Sequence, residues 1–65
     1  MKCIINDREK IVKKIKFSGK ISTILSKFGI NPEVVILKRN GALVTELDSV
    51  KDNDELEIIK VIYGG

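Results

Sequence analysis

The chain has 65 residues, 43% hydrophobic and 32% charged, with a net charge of +3. This length predicts one domain that buries only about 60% of the surface its unfolded chain exposes, too thin for a cleft with its own catalytic constellation. With no His and a single Cys, Cys3, a conventional zinc site and an internal disulfide are excluded. Nothing resembles a signal peptide, and no apolar run is long enough to cross a bilayer. These readings predict a soluble protein of a reducing cytoplasm.

In chain order, Lys2 to Asn6 reads as a first strand and Asn6-Asp7-Arg8-Glu9 as a turn. Lys10 to Phe17 reads as a second strand, with Ile11, Ile15 and Phe17 on one parity. Lys13 interrupts that apolar face, which predicts a strand start that projects past the core or carries a bulge. Ile21, Ile24, Leu25 and Phe28 then fall on one helical face. Ser18 is placed to cap that helix, and Gly29 suits a left-handed stop. Pro32 pushes Asn31 out of helical geometry and closes the segment.

Glu33 to Arg39, with Val34-Val35-Ile36-Leu37, reads as a third strand. Asn40-Gly41 is the strongest hairpin signal, since a type I′ turn needs positive φ at both central residues. Ala42-Leu43-Val44 returns as a short fourth strand. Thr45 to Lys51 reads as irregular, anchored by Leu47 and Val50, and Asp52-Asn53-Asp54 as a turn. Leu56 to Ile62 is β-rich and forms the final strand, followed by Tyr63-Gly64-Gly65. A terminal glycine pair is poor for packing but suits a thin tail that carries a carboxylate into a narrow active site. That carboxylate, with a reference pKa of roughly 3.5, needs activation before it can be acylated onto anything.

The pattern predicts an α+β fold: a mixed sheet of about five strands wrapped round one helix. The helix supplies the crossover that lets the last strand lie centrally, parallel to the first. This order, the single helix, the chain length and the Gly64-Gly65 end resemble the ubiquitin-like β-grasp proteins of the ThiS/MoaD sulfur-carrier family. The likeness covers residues 1–65 as one domain with a flexible tail over about 62–65. It is strongest in Asp52-Asn53-Asp54-Glu55-Leu56-Glu57-Ile58 and in Val61-Ile62-Tyr63-Gly64-Gly65. The chain departs from the family at Asn53, where a glycine is common, and at Tyr63, where a small residue is.

The resemblance implies a carrier rather than an enzyme, with no catalytic residues and no bound cofactor. An ATP-dependent activating enzyme would adenylate the carboxylate of Gly65, and a sulfur donor protein would convert it to a thiocarboxylate. A sulfur-acceptor synthase would then take the sulfur, most simply for thiamine thiazole, with molybdopterin and tRNA thiolation as further acceptors. Gly64, Tyr63 and Ile62 would give the carboxylate reach, and Ile59 and Val61 would dock the activating enzyme. The same residues also suit a modifier joined to lysines through Gly65, or a molybdopterin synthase small subunit.

Residues 1–30 carry eight cations against two acids, a balance of +6, and residues 31–65 carry −3. Such asymmetry can steer a partner. Phosphate contact needs basic residues, but base recognition adds stacking aromatics. Phe17 and Phe28 fit the core, so a solvated basic hairpin is the simpler reading and nucleic acid the lesser one. Cys3 reads as a small buried hydrophobe rather than a sulfur-handling thiol. The acids Asp48, Asp52, Asp54, Glu55 and Glu57 lack a calcium-loop pattern, so no metal is expected.

Overall fold

The computed structural model describes residues 1–61. Its main sheet is built from β1 (Lys2–Asn6), β2 (Lys10–Lys14), β4 (Val35–Arg39), β5 (Ala42–Val44) and β7 (Glu55–Lys60), in the order β2-β1-β7-β4-β5. A two-stranded ribbon pairs β3 (Gly19–Lys20) with β6 (Ser49–Val50), and α1 (Ile21–Phe28) is the α-helix. The expected mixed sheet round one helix is what the chain forms. β7 lies between β1 and β4, parallel to the first and antiparallel to the second.

Period-two alternation assigns the faces of β7. Leu56 and Ile58 are fully buried. They join Cys3, Leu37, Val50 and the helix residues Ile21, Ile24 and Leu25 in one apolar cluster. Burying a side chain of this size contributes about 1.5–3 kcal/mol, so these few residues supply most of the driving force. Cys3 is buried within the cluster, as its strand position predicts, and burial pushes its thiol pKa up, with Lys13 opposing more weakly.

β2 is shorter than its sequence suggests, ending at Lys14. It carries no bulge, for its register with β1 runs unbroken from Lys2↔Lys14 to Asn6↔Lys10. All five of its residues are exposed, the whole strand and not its start alone. Ile15 and Phe17 lie beyond the strand and pack against the core from there.

Ser18 does not cap the helix. Lys20 holds the N-cap position without a side-chain bond. The first helical N–H groups instead donate to loop carbonyls, Ile21 to Asp48 at 2.9 Å and Ser22 to Glu46 at 2.9 Å. The loop therefore does what a capping side chain otherwise does. At the other end Gly29 adopts φ 68°. The N–H of Ile30 returns to the Leu25 carbonyl at 2.8 Å, closing a Schellman stop.

Pro32 opens a short 3₁₀ turn (Pro32–Val34), whose entrance is held by the Asn31 side chain accepting from the Glu33 N–H at 3.0 Å. The following strand accordingly starts at Val35, later than the apolar run implied. Asn40 and Gly41 both have positive φ, 50° and 85°, as the hairpin turn requires. Leu47, expected to anchor the next loop, is 71% exposed. The Asp48 carboxylate accepts the Thr45 N–H at 2.8 Å. The turn so closed holds Leu47 at its tip, and Val50 alone enters the core.

Candidate functional site

The end of β7 is where the geometry converges. The central strand is paired with β1 over Glu55 to Ile59 and with β4 over Leu56 to Lys60. Immediately after it, the Val61 N–H donates to the Val34 carbonyl at 2.8 Å. The 3₁₀ turn that displaces the start of β4 thus presents the carbonyl that fixes the chain at its exit. Lys60 pairs with Asp7 at 3.7 Å across the neighbouring β1–β2 turn. The exit is braced from two sides.

Ile59 occupies the opposite face of β7 from Leu56 and Ile58. Its lateral neighbours are Asn6 on β1 and Ile36 on β4. Ile59 is half-buried and Ile36 is 42% exposed. Together they form an apolar step on the outer face, extended toward Leu43, which pairs with Lys38. Lys38 lies across from Glu57, whose carboxylate accepts from Asn6 Nδ2 at 2.7 Å. Val61 is half-buried just beyond the strand.

Of the residues the sequence singles out, the structure therefore places Ile59 beside Ile36 and holds Val61 by its backbone. Ile62, Tyr63, Gly64 and Gly65 lie outside the described residues. Ile36 was not picked as a site residue, because it sits in a continuous apolar run where both parities are hydrophobic. Its partners Val35 and Leu37 face the helix, which turns Ile36 outward. The same end of the sheet encloses a hollow of about 250 Å³ lined by residues including Ile5, Ile30, Val34, Val35 and Ile58.

Among the described residues, no three His, Cys, Asp or Glu side chains come together to hold a metal ion. Two acids of the turn before β7 are engaged locally. Asp52 accepts the Phe17 N–H at 3.1 Å and faces the N-terminal ammonium at 3.4 Å. The first of these contacts, then the second, holds its carboxyl below the ordinary carboxylate value. Asp54 is held down by the Asn40 side chain, then by the Lys51 N–H. No described helix is long and apolar enough to cross a membrane.

A mixed sheet with a central parallel pair, gripping one helix, defines a ubiquitin-like β-grasp domain whose last strand leads into the tail. The model of the ThiS family matches residues 5–65. The sulfur carrier protein TtuB of Thermus thermophilus is 31% identical over 65 residues, spanning all of both chains. The crystal structure of the thiamine biosynthesis protein ThiS from Geobacter metallireducens superposes with a TM-score of 0.61 at 23% identity, covering 100% of each chain. The chain belongs to the ThiS family of sulfur carriers.

Proposed function

We propose that the chain carries sulfur as a thiocarboxylate on Gly65 and that the chemistry is performed by its partners. The observation that supports this most directly is the family match, which runs through residue 65, onto a strand whose exit is fixed by the Val61–Val34 bond. An activating enzyme joins the Gly65 carboxylate to the α-phosphate of ATP, releasing pyrophosphate. The terminal sulfur of a donor persulfide attacks the acyl carbon, and AMP leaves with the electron pair. A second thiol cleaves the resulting acyl disulfide, leaving the thiocarboxylate on the carrier and a disulfide on the donor.

The geometry supports a division of labour in this scheme. Gly64, with no side chain, would let the chain enter a narrow nucleotide site. Ile59, Ile36 and Val61 offer the activating enzyme an apolar face at the end of β7. The carrier needs no cofactor of its own, because ATP is bound by the partner.

The acceptor we propose is the thiazole of thiamine, on the likeness of Val61-Ile62-Tyr63-Gly64-Gly65 to thiamine-type carriers. A tRNA base is the second acceptor, one that the family resemblance also implies and that the 31% identity to the sulfur carrier protein TtuB leaves open. Intact mass of the protein, after incubation with ATP, a sulfur source and extract of its native cell, tests the common step. The gain expected is one oxygen replaced by sulfur, absent from a chain lacking Gly65. A terminus that stays a carboxylate would overturn the carrier reading, and Gly65 joined to lysines would replace it with a modifier. Deleting the gene and assaying thiamine requirement beside tRNA thiolation separates the two acceptors.

A further inference from the structure

β2 is an edge strand of the main sheet, and among the described residues no strand pairs with its far side. Met1 and Ile15 exchange both backbone hydrogen bonds, at 2.7 and 2.9 Å. In an antiparallel ladder, bonded and non-bonded pairs alternate. Cys3 with Lys13 and Ile5 with Ile11 are then the bonded pairs of the β1–β2 register. The N–H and C=O groups of Lys10, Val12 and Lys14 consequently point away from β1, out of the sheet. Their side chains lie on the outer face, and those of Ile11 and Lys13 turn toward the helix.

Beside this edge, between the end of β2 and α1, lies a shallow hollow of about 50 Å³ walled by Ile15, Phe17, Ile24 and Phe28 and rimmed by Lys16 and Lys27. Lys13 bridges the two features, its ammonium 5.1 Å from the centre of the Phe28 ring. Ile11 adds an apolar side chain that is 43% exposed. The ion pairs among the described residues join the N-terminus to Asp52, Lys2 to Glu55 and Lys60 to Asp7. None of them involves Lys10, Lys13, Lys14, Lys16 or Lys27. The nearby Asp52 is already held by the Phe17 N–H and the N-terminus.

An open edge of this kind invites an added strand, and the lysines decide which strands are admitted. We propose that the β2 edge and its groove against α1 bind an extended, acidic segment of a partner protein in which carboxylates alternate with branched apolar residues. Its backbone pairs with Lys10, Val12 and Lys14. Its apolar side chains lie over Ile11 and the hollow, and its carboxylates meet Lys10 and Lys14 on one face. Lys16 and Lys27 receive acids at the end of the segment. A basic strand, including β2 of a second copy, is repelled by the same charges, and a neutral one gains no charge pairing from them. β1 separates this edge from Ile59 on β7, and the proposal does not depend on the sulfur-carrier reading.

The test is a short fluorescein-labelled peptide alternating Asp with Val and Ile, titrated into the native protein. Anisotropy reports binding and amide chemical shifts report its place. Saturable binding is expected, with shifts centred on Lys10, Val12, Lys14 and Phe28. The combined Lys14→Glu and Lys16→Glu variant should weaken it roughly tenfold, as two reversed charges do. Backbone N-methylation of the peptide, which leaves the protein untouched, should abolish it. No saturable binding, shifts centred on Ile36 and Ile59, or equal binding of the methylated peptide would overturn the proposal. A single-stranded oligonucleotide that displaces the peptide with steep salt dependence would assign the lysines to phosphate instead.

Discussion

Asn40 carries more of the fold than its place in a turn implies. Its backbone holds φ 50°. Its N–H donates to the Glu55 carbonyl at 2.8 Å, and its side-chain oxygen accepts the Glu55 N–H at 2.9 Å. Its amide also donates to Asp54 at 3.0 Å. The β4–β5 turn is thereby stapled to the start of β7, the strand that leads to the tail. Asn40→Gly keeps the left-handed backbone and removes the bonds made by the side chain. Losing the bond to Glu55 costs about 1 kcal/mol, the middle of the range for one intramolecular hydrogen bond. Asn40→Ala loses the same bonds and forces a β-carbon into the left-handed region, which costs roughly 1–2 kcal/mol more. For a domain this small each kcal/mol moves the melting temperature by about 4–8 °C. The expected order of melting temperatures is wild type, then Asn40→Gly, then Asn40→Ala, by calorimetry or circular dichroism. If Asn40→Ala melts at or above Asn40→Gly, the backbone argument is wrong. If both match wild type, the staple contributes nothing.

Leu56→Ala, at a fully buried central position, should lose about 2–5 kcal/mol, a large part of the roughly 3–10 kcal/mol available to a chain of this size. Leu43→Ala, 73% exposed on an edge strand, should stay within about 0.5 kcal/mol of wild type in urea titration. Asp52 and Asp54 have folded-state pKa values lowered from 3.8, so their bonds stabilise the fold above that pH. This contribution fades as pH falls through the folded values, and Asp52→Asn should flatten the acid limb of the urea midpoint against pH. Cys3 should react with a thiol reagent only when the fold opens, its labelling rising with urea, and Cys3→Ala should still accept sulfur at Gly65. Loss of sulfur loading in a folded Cys3→Ala protein would make that thiol part of the transfer.

The sequence and the structure part company where contacts are distant in sequence. The strands, the helix face, the Gly29 stop and the Asn40-Gly41 turn were legible because each depends on neighbours within a few residues. Ser18 was misjudged as a cap because the groups that satisfy Ile21 and Ser22, the carbonyls of Asp48 and Glu46, come from over twenty residues later. The β3–β6 ribbon escaped notice for the same reason, since two-residue strands have no period to read. Leu47 failed as an anchor because hydrophobicity alone does not say which residue of a tight turn points inward. At the candidate site, β7 and Ile59 were legible from alternation, whereas Ile36 was hidden in a run apolar on both parities.

These long-range contacts also explain how so thin a core can hold a fixed exit. The last strand has six residues, two of them glutamates and one a lysine, and its stabilisation comes from what closes round Leu56 and Ile58. It is ordered because three separate parts of the chain close on it: β1 along one side, β4 along the other, and Asn40 at its start. Val34 then takes the Val61 N–H just past its end. Each of these contacts joins residues separated by fifteen positions or more, so each depends on distant parts of the chain having come together. A carrier whose tail must be presented to several enzymes gains from that arrangement, because the point of departure stays fixed while the residues beyond it are handed over.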